Sequence, residues 1–139
     1  MRTQTSVALL LATFLAGPAG PVTADEAVIS LDGTWRFALD PEDVGVDQRW
    51  FGRNLDDTIR LPGTTDENHK GTRVDEQRVD RLSRVWYWKG PAWYRREVTI
   101  PASWAGKRIT LFLERTKNTR VWVDDLFCGW DDTLSAPQV

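Results

Sequence analysis

Ala92-Trp93-Tyr94-Arg95-Arg96-Glu97-Val98-Thr99-Ile100-Pro101-Ala102-Ser103-Trp104-Ala105-Gly106-Lys107-Arg108-Ile109-Thr110-Leu111-Phe112-Leu113 is the stretch that decides the fold. Within it, 93–100 and 108–113 read as strands, separated by Pro101 and a Trp-x-Gly-Lys turn. The second run alternates cleanly, with Ile109, Leu111 and Leu113 on one face. Working outward, Thr34 to Leu39 puts Trp35, Phe37 and Leu39 on one face before Asp40-Pro41 ends the run. Thr58-Ile59-Arg60-Leu61 stops at Pro62-Gly63. Thr119 to Val123 meets Asp124-Asp125, a pair suited to a tight hairpin leading into Leu126-Phe127-Cys128. No segment carries a comparable helical stripe, and 41–51 and 102–106 each have room for a helical turn only. Short strands at this spacing predict an all-β chain folded as an antiparallel sandwich.

The chain has 139 residues, 41% hydrophobic and 27% charged, which is one domain's worth. A (β/α)8 barrel takes about 250 residues, so none fits. With 18 basic against 20 acidic side chains, the net charge of -2 supplies no field for holding phosphates, so no nucleic-acid partner is expected. Cys128 and His69 are the one Cys and the one His. They are too few for a structural zinc site, and a lone Cys closes no intrachain disulfide.

Arg2 precedes an apolar run from Val7 to Ala16 that breaks at Gly17, Pro18, Gly20 and Pro21. A charged start, short apolar core and small-residue exit predict a secretory signal over 1–24, cut after Ala24, and a secreted or periplasmic product. The run is about half the roughly 20 residues of a bilayer span, so no membrane span is expected. The domain proper is then 25–139. Its least regular part, Asp66 to Arg84, carries the charge run Arg73, Asp75, Glu76, Arg78, Asp80, Arg81 and Arg84. A connection of that length is either a functional loop or a solvated one.

All eight tryptophans follow Asp25, at 35, 50, 86, 88, 93, 104, 122 and 130. An indole is suited to stacking on the C–H face of a sugar ring, so the composition permits carbohydrate binding. Trp35 and Trp93 read as packing residues. Trp86, Trp88 and Trp130 flank loops, where ligand contact is more often found.

Taken in order, Ser30-Leu31-Asp32-Gly33-Thr34-Trp35-Arg36-Phe37, Leu61-Pro62-Gly63-Thr64-Thr65-Asp66, the 92–109 stretch and Val121-Trp122-Val123-Asp124 resemble the N-terminal domain of glycoside hydrolase family 2. That family contains β-galactosidases, β-glucuronidases and β-mannosidases. The resemblance implies an antiparallel jelly-roll β-sandwich of the galactose-binding type, the sugar-binding domain. It also implies partner domains in a parent chain, an immunoglobulin-like sandwich and a (β/α)8 barrel with two catalytic Glu residues. On this reading the chain is an N-terminal fragment lacking the last jelly-roll strands, inactive alone. Asp125 stands where many members carry Gly, which would strain a left-handed position unless the turn type differs.

Glycoside hydrolysis needs two carboxyls roughly 5–10 Å apart. No pair stands out among the acids, and the resemblance places both in the barrel, so no catalytic residue is assigned here. The same resemblance implies a loop that helps shape a pocket for a β-linked carbohydrate. Candidate substrate-binding residues by placement are Asp66, Asn68 and His69 after the Leu61-Pro62-Gly63 landmark, with Glu67 among them. Arg84, before the Trp93 strand, and Asp131 and Asp132, after the Val121 strand, complete the set. No cofactor and no metal ligand is assigned; a carboxylate calcium site stays open, although the EF-hand spacing is missing. Two rival readings are a free-standing carbohydrate-binding module and a structural piece with no ligand.

Overall fold

The computed structural model describes residues 27–75, 83–133 and 136–139. The expected signal, 1–24, and part of the charged loop, 76–82, lie outside the described residues. The described chain is all-β and antiparallel, in the class expected for the sandwich. Its strands are β1 (Gly33–Leu39), β2 (Asp57–Leu61), β3 (Thr72–Arg73), β4 (Trp86–Tyr87), β5 (Ala92–Arg95), β6 (Thr119–Val123) and β7 (Leu126–Asp131). They form a three-stranded sheet in the order β2-β1-β5 and two pairs, β3-β4 and β6-β7.

Alternation along β1 makes the first sheet. Trp35 pairs with Ile59, and Phe37 with Asp57 on one side and Tyr94 on the other. Phe37 is 0% exposed and Ile59 2%, and burying two such side chains contributes about 1.5–3 kcal/mol each. Tyr94 meets Phe37 edge-on, with ring centroids 5.1 Å apart. The start of β1 is tied to the end of β5: the Arg96 guanidinium donates to the carbonyls of Leu31 at 3.0 Å and Asp32 at 2.9 Å and lies over the Trp35 ring. The Trp35 indole N–H donates to the Leu31 carbonyl at 2.8 Å.

The opposite face of the sheet, at its Ala38–Trp93 end, takes an aromatic layer. Trp93 packs against Trp50, from the 3-10 turn Trp50–Gly52, and against Trp122 of β6. Phe51 stacks flat on Trp122, which also touches Phe127 of β7. Trp122 thereby seats the β6-β7 hairpin on the first sheet. Beneath this layer sits Asp40, 1% exposed. Its carboxylate accepts from the amides of Val44 at 2.9 Å and Gly45 at 2.7 Å and from the Trp93 indole N–H at 3.0 Å. Burial pushes its pKa up, but the Trp93 N–H and the amides of Val44, Gly45 and Asp43 outweigh that and hold it below the usual carboxylate range.

The β6-β7 hairpin turns at Asp124-Asp125, where sequence places it. The left-handed residue is Asp124, with φ 53, and not Asp125. Asp tolerates that region better than bulkier side chains do, so the missing Gly is accommodated by the first turn position.

Contacts divide the chain into two units, one containing Ile100–Ile109 and the other Leu31–Thr99 with Thr110–Val139. In the first, Ala102–Trp104 forms a 3-10 turn. The Lys107 amide then donates to the Trp104 carbonyl at 3.0 Å across Ala105, at φ -55 and ψ 130, and Gly106, at φ 75. That is a type II turn, whose third residue needs the positive φ glycine provides.

The two strands expected in the deciding stretch are shorter than their pattern. β5 ends at Arg95, and 96–100 has no ladder. From Arg108 to Leu113 only Leu113 is bridged, to Gln138, and Ile109 is 50% exposed. A strand is completed by a hydrogen-bonding neighbour, and among the described residues 96–100 has none and 108–113 has only the bridge at Leu113.

Candidate functional site

The expected site begins with a turn over Thr64–Lys70, directly after β2. Thr64 and Glu67 cap each other: the Glu67 amide donates to Thr64 Oγ1 at 3.1 Å and the Thr64 amide to Glu67 Oε2 at 2.7 Å. This reciprocal pairing satisfies two amides that would otherwise be orphaned. Asn68 fastens the turn to the strand. Its Oδ1 accepts from the Arg60 amide at 2.8 Å, and its Nδ2 donates to the carbonyls of Arg60 at 3.1 Å and Thr64 at 2.9 Å. Lys70 closes the turn by contacting both carboxylate oxygens of Asp57 at 2.7 Å. That hydrogen bond is the chief reason the Asp57 carboxyl lies below its usual range, with the Thr58 amide helping against desolvation.

Asp66 reaches across from this turn to the β3-β4 pair, where its Oδ1 accepts from the Trp86 amide at 2.7 Å. Val74 donates to the Val85 carbonyl at 2.7 Å and lengthens that short ladder. The long loop is thus pinned at its two ends by pairing of Thr72–Arg73 with Trp86–Tyr87. His69 sits at φ 57 with its ring 5.7 Å from the Trp86 ring, tilted by 39°. Asp66, Glu67, His69, Val85 and Trp86 line an open recess of about 250 Å³.

The structure therefore brings Asp66 and His69 to one recess and gives each expected residue a distinct place. Asn68 spends its amide on the turn. Arg84 lies exposed two residues before Trp86. Asp131 and Asp132 stand at the end of β7, and among the described residues no hydrogen bond or ion pair joins them to the recess. Thr133, through its side chain and its amide at 2.7 Å, holds the Asp131 carboxyl below its usual range. Of the three tryptophans expected to flank loops, Trp86 and Trp130 lie within β4 and β7, and Trp86 lines the recess. Trp88 donates to the Gly90 and Pro91 carbonyls of its own loop, and Trp130 is 68% exposed on β7.

An indole wall beside an imidazole and carboxylate oxygens is a combination that accepts a sugar's C–H face and its hydroxyls together. Among the described residues no three His, Cys, Asp or Glu side chains gather as metal ligands, and no helix is long and apolar enough to cross a membrane. Two features were not anticipated from the sequence: the capping role of Glu67, itself a candidate by placement, and the presence of Val85 in the recess. Glu67 as a capping partner was signalled by the Thr64-x-x-Glu67 spacing. Val85 had no signal, because only the β3-β4 pairing brings it to the turn.

Comparison with known proteins adds two findings. Residues 28–138 match the model of the family described as glycosyl hydrolases family 2, sugar binding domain. A β-glucuronidase from Paenibacillus borealis is 28% identical over 103 residues, an alignment covering 73% of this chain and 16% of that relative. The chain therefore spans a small part of the relative's length.

Proposed function

From the premise that the chain belongs to the sugar-binding domain family of family 2 glycosyl hydrolases, we propose that it shapes the sugar pocket of an exported β-glycosidase without carrying the catalytic Glu pair. The observation that carries this reading is the recess where Asp66 and His69 face Trp86. A β-linked carbohydrate is the proposed ligand, and the immunoglobulin-like and (β/α)8 domains of a parent chain are the proposed partners. The tie from Asp66 to the Trp86 backbone amide anchors the main chain that carries the indole to the turn. Export rests on the charged start, apolar run and small-residue exit of 1–24.

In the full-length enzyme, Trp86→Ala and His69→Ala should each raise KM for a β-glycoside by about tenfold, the loss of one good polar or stacking contact. Unchanged KM and kcat in both variants would overturn the pocket-shaping role. For export, the secreted product should begin at Asp25; a product retaining Met1 refutes cleavage.

A further inference from the structure

One face of the three-stranded sheet has a composition that the recess does not use. Arg36 of β1 pairs directly with Arg95 of β5 and, on its other side, with Thr58 of β2; Thr34 pairs with Arg60. Directly paired strand residues point to the same face, and Arg60 is the diagonal neighbour of Arg36. Arg36, Arg60 and Arg95 therefore share one face with Thr34, Thr58, Ala38 and Trp93. The aromatic layer covers the Ala38–Trp93 end, and Arg36, Arg60, Thr34 and Thr58 are exposed. None of these strand positions carries an acid. Glu97, beyond the end of β5, bonds Arg95 at 3.1 Å, and among the described residues neither Arg36 nor Arg60 has an ion-pair partner.

Like charges directly opposite one another on a sheet are unfavourable, and an anion lying across them relieves the repulsion. The charge is local, since the whole chain is net acidic. Guanidinium forks match carboxylates or sulfates bidentately, and the interleaved threonine hydroxyls match sugar hydroxyls. An extended sheet face suits an extended chain. We propose that the Arg36, Arg60 and Arg95 face docks an acidic polysaccharide, at a place distinct from the His69 and Trp86 recess. The choice of a saccharide over other polyanions rests on the family and on the threonine hydroxyls; the site itself rests on the strand register.

Affinity electrophoresis of the full-length protein tests this, with polygalacturonate, neutral galactan or poly-glutamate in the gel. Polygalacturonate should retard the protein, galactan should not, and added NaCl should release it. Arg36→Gln, Arg60→Gln and Arg95→Gln should each weaken retardation by about fivefold. Arg36→Lys, which keeps the charge, should keep most of it. No retardation, or full retardation in all three Gln variants, overturns the proposal, as does complete loss in a folded Arg36→Lys protein. Equal retardation by poly-glutamate also overturns it, assigning the face to an acidic protein segment. Failure of the recess reading registers separately, in the KM of His69→Ala.

Discussion

Asp40 shows how much a single side chain can hold. Its buried carboxylate ties the 40–45 loop to the Trp93 indole, so Asp40→Ala leaves three donors orphaned beneath the aromatic layer. The expected cost is about 3 kcal/mol, read as a lower urea midpoint. Its folded pKa lies below the unfolded value, so the stabilisation is present above pH ~4 and is lost as pH falls through the folded pKa. Asp57 behaves the same way through Lys70. Asp40→Asn should therefore flatten the acid limb of the stability profile relative to the wild type, as urea midpoints measured between pH 7 and pH 2 would show. Gly45 belongs to the same cluster: an added Cβ would collide with the Trp93 indole and the Asp40 carboxylate. Gly45→Ala should cost about 1–3 kcal/mol by overpacking, measured by the same melts. In sequence, Asp40 reads as a strand stop before Pro41, and its partner lies 53 residues away. Nothing local announces that pairing.

At the scale of elements, the Thr64–Lys70 turn is a self-closed unit attached to β2 by Asn68. Asn68→Ala removes three hydrogen bonds at once, two of them to the backbone of Arg60. In this exposed setting the expected loss is about 1–2 kcal/mol. The more telling readout is amide hydrogen exchange, which should speed up at Arg60 and across 64–70 while β5 is unaffected. Unchanged exchange at Arg60 would show that the turn is held by other means. The turn was legible as a landmark; its capping by Thr64 and Glu67 was not anticipated, although the Thr64-x-x-Glu67 spacing carries that signal. The use of Asn68 as a fastener was not legible, because amide side chains at such positions bind ligand and backbone with the same atoms. The turn at Asp124-Asp125 was legible, since a two-residue turn sets the Val123–Leu126 pairing; the register shift between Val121 and Trp122 and the run of β7 to Asp131 were not. The strands over 96–100 and 108–113 were overread: their alternation is real, but a ladder also needs a neighbour.

Across the whole molecule, apolar surface remains in the open. Leu126 is 70% exposed, Val123 58% and Trp130 68%, all on the β6-β7 hairpin, whose strands each have an unpaired edge among the described residues. Such a patch favours association. The 139-residue chain in isolation should bind a hydrophobic dye and sediment with a concentration-dependent mass, and Leu126→Ser should weaken both effects. A dye-silent monomer would count against that account. The sequence by itself determined the all-β class, the turn positions and the family landmarks, because period, Pro and Gly stops and hairpin pairs act over a few residues. Tertiary structure alone decided which landmarks come together. Only folding sets Asp66 against the Trp86 amide, seats Trp122 on Trp93 and lines up Arg36 with Arg95, because each pairing joins residues 20 or more positions apart, beyond the reach of any local pattern.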